Sequence, residues 1–309
     1  MDNQLSFYRP KLLLSACFQE PTRYDGGQIR DPLVEKIKKF VDPLYFCPEV
    51  ALGLGVPRPR IVIHRIGTKK ALIQPETGKD LTQEMEALAD KFFSQLEEID
   101  GAILKSKSPS CGVGSAKEFE GERFLRKTDG FFAESFKHYR PLLPLEDEGR
   151  LRDKTIYYHF LMRIFALAEL REFLKNPNPQ GLVKFHTKYK FILSTCHQEL
   201  TRQLGVLVAS AHIPFEEKLR QYKTNFLLAL SHKPSRARHA NTLYHIAGFF
   251  TKRINPRERN HLLHIIEKFR SGRVELRLPL ELLRGLAFRF EEEYLISQRY
   301  LQPFPEELF

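Results

Sequence analysis

The sequence predicts an α/β N-terminal domain with a mostly parallel sheet, followed by an all-α C-terminal domain. Three observations carry this. In the first half, compact apolar runs alternate with amphipathic stretches; beyond about residue 150, long segments of helical period replace them. The charge divides at the same place. Residues 1–150 hold 23 basic and 23 acidic side chains, and 151–309 hold 26 and 15, so the formal excess of +11 lies wholly in the second half, with nine of the eleven histidines. A chain of 309 residues is long enough for two cores. The expected organisation is a cysteine-bearing domain over 1–150, a connecting helix and linker over 151–180, and a basic helical domain over 181–309.

Taken in order, "KLLLSAC" (11–17), "PLYFC" (43–47) and "GAILKS" (101–106) are short apolar runs bounded by turn residues, as interior strands of a parallel sheet require. Helical stretches separate them. "DPLVEKIKKF" puts Leu33, Ile37 and Phe40 on one stripe. "DLTQEMEALADKFFSQLEEI" spaces Leu81, Met85, Leu88, Phe92 and Leu96 at helical period behind an Asp80 cap. "RIVIHRI" and "KALIQ", joined through Gly67, predict a two-stranded insertion. The second half predicts helices over 151–174, 181–204, 212–231, 236–254 and 256–271, punctuated by "NPNPQG", "HKP" and "NPRER". No run approaches the roughly eighteen apolar residues of a membrane helix. "LLLSACF" is too short for a secretory signal and lacks a cleavage site. Four cysteines are too few for a disulfide scaffold. The expectation is a soluble cytoplasmic protein with no membrane partner.

Cys17, Cys47 and Cys111 each fall at, or just after, the end of an apolar run. In an open parallel sheet the loops beyond the carboxyl ends of the strands gather at one edge, so thiols far apart in sequence can meet there. Nearby glycines allow close backbone approach, and their N–H groups can bond sulfide or an anion. Three core cysteines are the alternative. A zinc site would more often carry paired CxxC or an adjacent histidine. Soft thiolates can instead hold an iron–sulfur cluster, and three of them on four irons leave one iron open. Cys196, inside "KFILSTCHQEL", is expected to fill core.

"LLLSACFQEPTRYDGG", "CPEVALGLGVPRPR" and "LKSKSPSCGVG", within residues 10–145, resemble the signature blocks of the TudS thiouracil desulfidase family. The resemblance implies a 4Fe-4S cluster on Cys17, Cys47 and Cys111, whose unligated iron takes the sulfur of a thiolated uracil. It also implies catalytic roles for Glu49, two residues after the second cysteine, and Ser108, three before the third. Exchange of C=S for C=O needs an activated water and a proton donor, which suits both. Otherwise Glu49 is a loop carboxylate and Ser108 a turn former before Pro109. Phe18, Gln19 and Glu20 stand where the family pattern has small residues, and their bulk is expected to reshape the pocket rim. Arg23 and Asp25 of "RYDGG" are expected to form a structural ion pair.

Between Lys184 and Arg277 there are 18 Lys or Arg against 6 Asp or Glu, a density suited to phosphate neutralisation. In "SRARHANTLYHIAGFFTKRI", Leu243, Ile246, Ala247, Phe250 and Ile254 form an apolar stripe. Asn241, His245, Gly248 and Lys252 fall on another face. Arg236, Arg238, His239, Asn241, His245, Lys252 and Arg253 are the candidate RNA contacts, because Arg, His and Asn make geometry-dependent hydrogen bonds; plain solvation is the alternative. "KFHTKYKFIL", "RHANTLYHIAGFFTKRI", "LRLPLELLRG" and "YLISQRYLQPFPEEL" resemble the YbgA-type helical domain. Its fusion to the first domain resembles desulfidases of the RudS type, which implies removal of sulfur from 4-thiouridine in tRNA, with the helical domain binding RNA. Three readings follow: a tRNA desulfidase releasing hydrogen sulfide, a desulfidase of free thiouracil or thiouridine nucleotides, or an RNA-binding protein with a structural metal.

Overall fold

The computed structural model describes residues 5–309. It divides into two compact units: Arg9–Ile164, and Phe165–Phe309 with the described N-terminal residues through Tyr8. The first is α/β and the second all-helical.

In the first unit, strands β1 (Lys11–Ser15), β2 (Asp42–Phe46), β6 (Gly101–Leu104) and β9 (Leu145–Asp147) form a sheet in the order β2-β1-β6-β9. Every pairing in it is parallel. Leu12, Leu13 and Leu14 of β1 are fully buried, as expected of a strand covered on both faces. β2 departs from the expectation of an interior strand. It lies at the sheet's edge with Leu44 exposed, and an edge is where Pro43, which donates no ladder hydrogen bond, is tolerated.

The two-stranded insertion proves to be part of a larger mixed sheet. Strands β3 (Val62–Ile66) and β4 (Lys69–Gln74) pair antiparallel, with β5 (Lys79–Asp80), β7 (Ala116–Glu120) and β8 (Arg123–Thr128) completing the order β5-β4-β3-β7-β8. The β7–β8 hairpin escaped sequence reading because six of its eleven strand residues are charged. One of these, Glu118, is buried and paired with Arg65 and Arg126.

Helices α1 (Pro32–Lys38), α2 (Pro48–Ala51), α3 (Thr82–Gln95) and α4 (Phe131–Tyr139) complete the unit. Asp80 Oδ1 accepts the Thr82 backbone N–H at 2.9 Å from one residue before the N-cap position, which is Leu81 and carries no side-chain cap. Leu81 and Met85 pack with Ile61, Ile63, Leu72 and Ala116 of the mixed sheet, while Ala89 and Phe93 pack with Leu13, Ala102 and Leu104 of the parallel one. One helix therefore braces both sheets.

The boundary between units falls inside α5 (Lys154–Phe173). The helical unit continues with α6 (Pro179–Cys196), α7 (Gln198–Ala209), α8 (Phe215–Ser231), α9 (Arg236–Gly248), α10 (Pro256–Arg270), α11 (Arg277–Arg289) and α12 (Glu293–Ile296). The segment 181–204 is two helices, not one. His197 is extended, ends α6, and caps α7 by accepting the Leu200 N–H on Nδ1 at 3.2 Å. Asn255 and Glu258 form a capping box at α10. Phe185, Tyr189, Tyr222 and Phe226 form the aromatic core of α6 and α8. Cys196 is buried in that unit, as expected. Glu169 accepts from Tyr189 Oη, Lys188 Nζ and Arg299 Nε, joining α5, α6 and the chain's last turns.

Two buried imidazoles in this unit set a pH dependence. His186 Nδ1 lies 3.3 Å from Tyr222 Oη, and His239 Nδ1 lies 3.1 Å from Tyr300 Oη. Burial lowers both pKa values from 6.5 to about 4. The unfolded chain takes up these protons below pH 6.5 and the folded one only near 4. Stability is therefore full above pH 6.5 and is lost as pH falls toward 4, by up to about 3 kcal/mol per histidine. Denaturant titration at pH 7.5 and 5 is expected to show this loss. His186→Gln and His239→Gln should each flatten it; an unchanged slope in both would refute the assignment.

Candidate active site

The carboxyl ends of β1, β2 and β6 point to one edge, and there Cys17, Cys47 and Cys111 line a single cavity of about 560 Å³. Cys17 sits in the single turn Ala16–Phe18 directly off β1, and the Ile29 N–H bonds its carbonyl at 2.8 Å. Cys47 follows β2 and opens α2, where the nearby backbone N–H groups of Val50 and Glu49 favour its ionised form. Cys111 is delivered by a longer loop after β6. Ser108 Oγ accepts the N–H groups of Ser110 and Cys111, both at 3.1 Å, folding the chain back on itself. Gly130 packs on that turn so closely that a Cβ there would stand 2.5 Å from the Ser110 carbonyl. Lys107, with φ +61°, adopts the left-handed conformation uncommon for a side-chain-bearing residue. From β9, Asp147 bonds Ser115 Oγ at 2.6 Å, while Glu148 bonds Lys105 Nζ at 2.7 Å and Ser106 Oγ at 2.6 Å. The loop 105–115 is thus held from both sides.

All three thiols are free of disulfides. Burial pushes the Cys17 thiol up to about 12, raises Cys47, and raises Cys111 well above its ordinary value; repulsion among the three adds to the effect on Cys17 and Cys111. Lys105 near Cys17 and Arg58 near Cys47 oppose it only in part. Such a trio ionises only against a strong local cation. Among the described residues no three His, Cys, Asp or Glu side chains are placed around a single metal ion. Thiolates on one tetrahedral zinc with bonds of about 2.3 Å stand roughly 3.8 Å apart. Three soft thiolate donors at one cavity are the kind of set that suits iron–sulfur ligation.

Glu49, on α2, faces the same cavity. Its Oε2 accepts from Arg58 Nε at 2.9 Å and Nη2 at 2.7 Å, and its Oε1 accepts from Ser110 Oγ at 2.9 Å. Ser108 Oγ stands 3.4 Å from Oε1; its lone pairs take two backbone N–H groups, so its one proton is directed at Glu49. The Glu49 and Arg58 side chains are only 12% and 3% exposed. Arg58 is fixed further by the Gly55 and Thr22 carbonyls, each at 2.9 Å. Sequence reasoning missed Arg58 and Ser110. The available signals were the first of two arginines ending "CPEVALGLGVPRPR" and a third serine beside Cys111.

Phe18 corrects an expectation: it is fully buried, and neither it nor Gln19 or Glu20 lines the cavity, so this bulk does not shape the rim. Arg23 and Asp25 form an ion pair at 2.8 Å. α9 ends at Gly248, short of the expected 254; on it Leu243, Ile246 and Ala247 are buried and Asn241 and His245 exposed, and Lys252 and Arg253 are exposed in the turn beyond it. Arg236 bonds the Phe269 and Val274 carbonyls, Arg238 the Cys196 carbonyl, and Arg253 pairs with Glu292. His239 is buried against Tyr300, because it lies on the packing face of the helix, and has no path to a ligand at the surface.

Residues 12–148 match the 2-thiouracil desulfurase family. Residues 190–305 match DUF1722, a family of unknown function. The chain therefore belongs to the 2-thiouracil desulfurase family through its N-terminal unit, an enzyme domain of the desulfidase class, joined to a DUF1722 domain. It is a homologue of the uncharacterized protein YbgA of Escherichia coli (strain K12), being 31% identical over 148 residues that span 47% of this chain and 88% of YbgA. The solved structure of the [4Fe-4S]-dependent thiouracil desulfidase TudS is 30% identical, covering 47% of this chain and 95% of its own, with a TM-score of 0.37. No helix among the described residues is long and apolar enough to cross a membrane.

The Glu49–Arg58 pair is open to a direct test. Arg58→Met leaves a carboxylate buried without its partner and is expected to destabilise the protein by roughly 3 kcal/mol. The double variant with Glu49→Gln should recover much of that loss. A denaturant-based double-mutant cycle reads the coupling, and additive losses would show the pair to be unimportant.

Proposed function

We propose that the protein is a non-redox desulfidase that removes sulfur from thiolated uridine, 4-thiouridine in tRNA, giving uridine and hydrogen sulfide. The observation carrying this is the meeting of three unpaired thiols with the Glu49 carboxylate and Ser108 hydroxyl around one cavity. Cys17, Cys47 and Cys111 would hold a 4Fe-4S cluster, which when bound supplies a Lewis-acidic iron for the thiocarbonyl sulfur.

The chain's own residues do the rest. Arg58 holds Oε2 of Glu49, leaving Oε1 to accept a proton from water directed at the thiocarbonyl carbon. Ser108, anchored by two backbone N–H groups, orients that oxygen and passes a proton toward departing sulfur. Water oxygen replaces sulfur on carbon, the two water protons leave as hydrogen sulfide, and no electron is transferred. The tRNA reading rests on the basic density of the helical unit and on the exposed Asn241, His245, Lys252 and Arg253 of the α9 region. A base inside stacked RNA must be exposed or everted to reach such a cavity.

Free nucleotides are the second reading, favoured by Arg23, Arg60, Lys107 and Lys117 around the cavity. The two separate by salt. Turnover of thiolated tRNA, followed by mass spectrometry of its nucleosides, is expected to fall steeply between about 50 and 200 mM salt, with a much shallower response for a thiouridine nucleotide. Equal responses would favour the nucleotide. Glu49→Gln is expected to keep iron and acid-labile sulfide while lowering turnover about 100-fold or more. Serine at Cys17, Cys47 or Cys111 should remove iron and sulfide together, whereas Cys196→Ser should leave both. Zinc without labile sulfide in anaerobically purified protein would sink the cluster.

A further inference from the structure

The mixed sheet of the catalytic unit carries an open face that the reaction does not use. Strands alternate faces, so Ile63, Ala116 and Glu118 turn inward while Val62, His64, Lys117 and Phe119 turn the other way. Phe124 lies opposite Phe119 across the β7–β8 ladder. The outcome is a row of three rings on three adjacent strands. His64 and Phe119 have centroids 6.4 Å apart, and Phe119 and Phe124 6.0 Å apart. Phe124, on the edge strand, is 48% exposed.

Beside this row Lys117 stands directly opposite Lys127, both exposed and neither with a carboxylate partner among the described residues. Like charges placed opposite one another destabilise a hairpin, and an anion lying between them reverses the effect. Val62, Lys117 and Phe119 also line the thiol cavity, so the face and the cavity share a wall.

We propose that β3, β7 and β8 form a stacking platform for the nucleotides flanking the thiolated uridine in RNA, with Lys117 and Lys127 gripping the intervening phosphates. Aromatic rings at successive positions, next to unneutralised lysines, are the chemistry that binds unstacked single-stranded RNA. A free nucleotide fills the cavity but has no neighbour to reach Phe124 or Lys127. Only a polynucleotide spans both. The proposal rests on the tRNA reading above and assigns part of RNA recognition to the catalytic unit itself.

The test uses the full chain with its metal content verified, measuring binding to a thiolated tRNA and turnover of both that tRNA and a thiouridine nucleotide. Phe124→Leu keeps apolar bulk without a ring face and is expected to weaken tRNA binding about 5- to 20-fold, with Phe124→Tyr near wild type. Lys127→Ala should lower the magnitude of the slope of log affinity against log salt by about 1. Normal tRNA binding in both Phe124→Leu and Lys127→Ala overturns the platform while leaving the tRNA reading intact. A wild-type chain that neither binds nor desulfurates thiolated tRNA overturns both. A shift of oligomeric state in these variants, with tRNA binding unchanged, would assign the face to protein contact and also overturn the platform.

Discussion

Parallel pairing of β1 with β2 and β6 is the constraint from which the site follows. It aligns three carboxyl ends, and the chain must turn away from the sheet at each of them. Cys47 is the first residue after β2 and Cys17 the second after β1, so backbone register alone brings them to the same edge. Cys111 lies seven residues past β6 and needs a folded loop to return it. That loop is fixed by Ser108 beneath its turn, by Gly130 packed against it, and by Asp147 of β9 and Glu148 just after it.

The same convergence has an electrostatic consequence. Cys47 makes ionisation of Cys17 harder, Cys17 and Cys47 together make that of Cys111 harder, and the Glu49 carboxylate disfavours it at all three. Arg58 answers part of this by pairing with Glu49 and lying near Cys47. On the proposed reading, the remaining deficit is what a cationic centre would supply, and ligand deprotonation and metal loading would be one event. Local rules break at this point of the unit: a left-handed Lys107, a nearly buried Glu49–Arg58 pair and desolvated thiols all border one cavity. In the helical unit, by contrast, Glu169 has three donors and reads as a structural tie.

Much of this was legible in the sequence, and the failures share a cause. Continuous apolar runs gave away β1 and β6, and helical period gave away α3, because burial there is decided by hydrophobic pattern. The β7–β8 hairpin was invisible since its inward Glu118 is neutralised by arginines, one from β3 and one from β8, a pairing that exists only after folding. β2 was mistaken for an interior strand because apolar composition does not say which neighbour is missing. On α9 a 3.6-residue stripe separated Asn241 and His245 from the core correctly. His239 falls on the same stripe, four residues before Leu243, yet its polarity suggested the surface although Tyr300 satisfies it inside. Arg58 was hidden for a similar reason: its partner lies nine residues away across a loop with no regular period.

Ser108 shows why structural and chemical roles at such a site are hard to separate by deletion alone. Its oxygen accepts the N–H groups that set the turn before Cys111, and those bonds in turn exhaust its lone pairs and aim its proton at Glu49. Removing the hydroxyl would disturb a cysteine and a carboxylate at once. Glu49 differs, since the glutamine isostere keeps its size and an acceptor for Ser110 while giving up the negative charge and the capacity to take a proton. Charge can therefore be probed at Glu49 with size and one acceptor kept, although the amide NH2 then meets either the Arg58 donors or the serine hydroxyls, whereas at Ser108 the proton and the geometry come from the same atom.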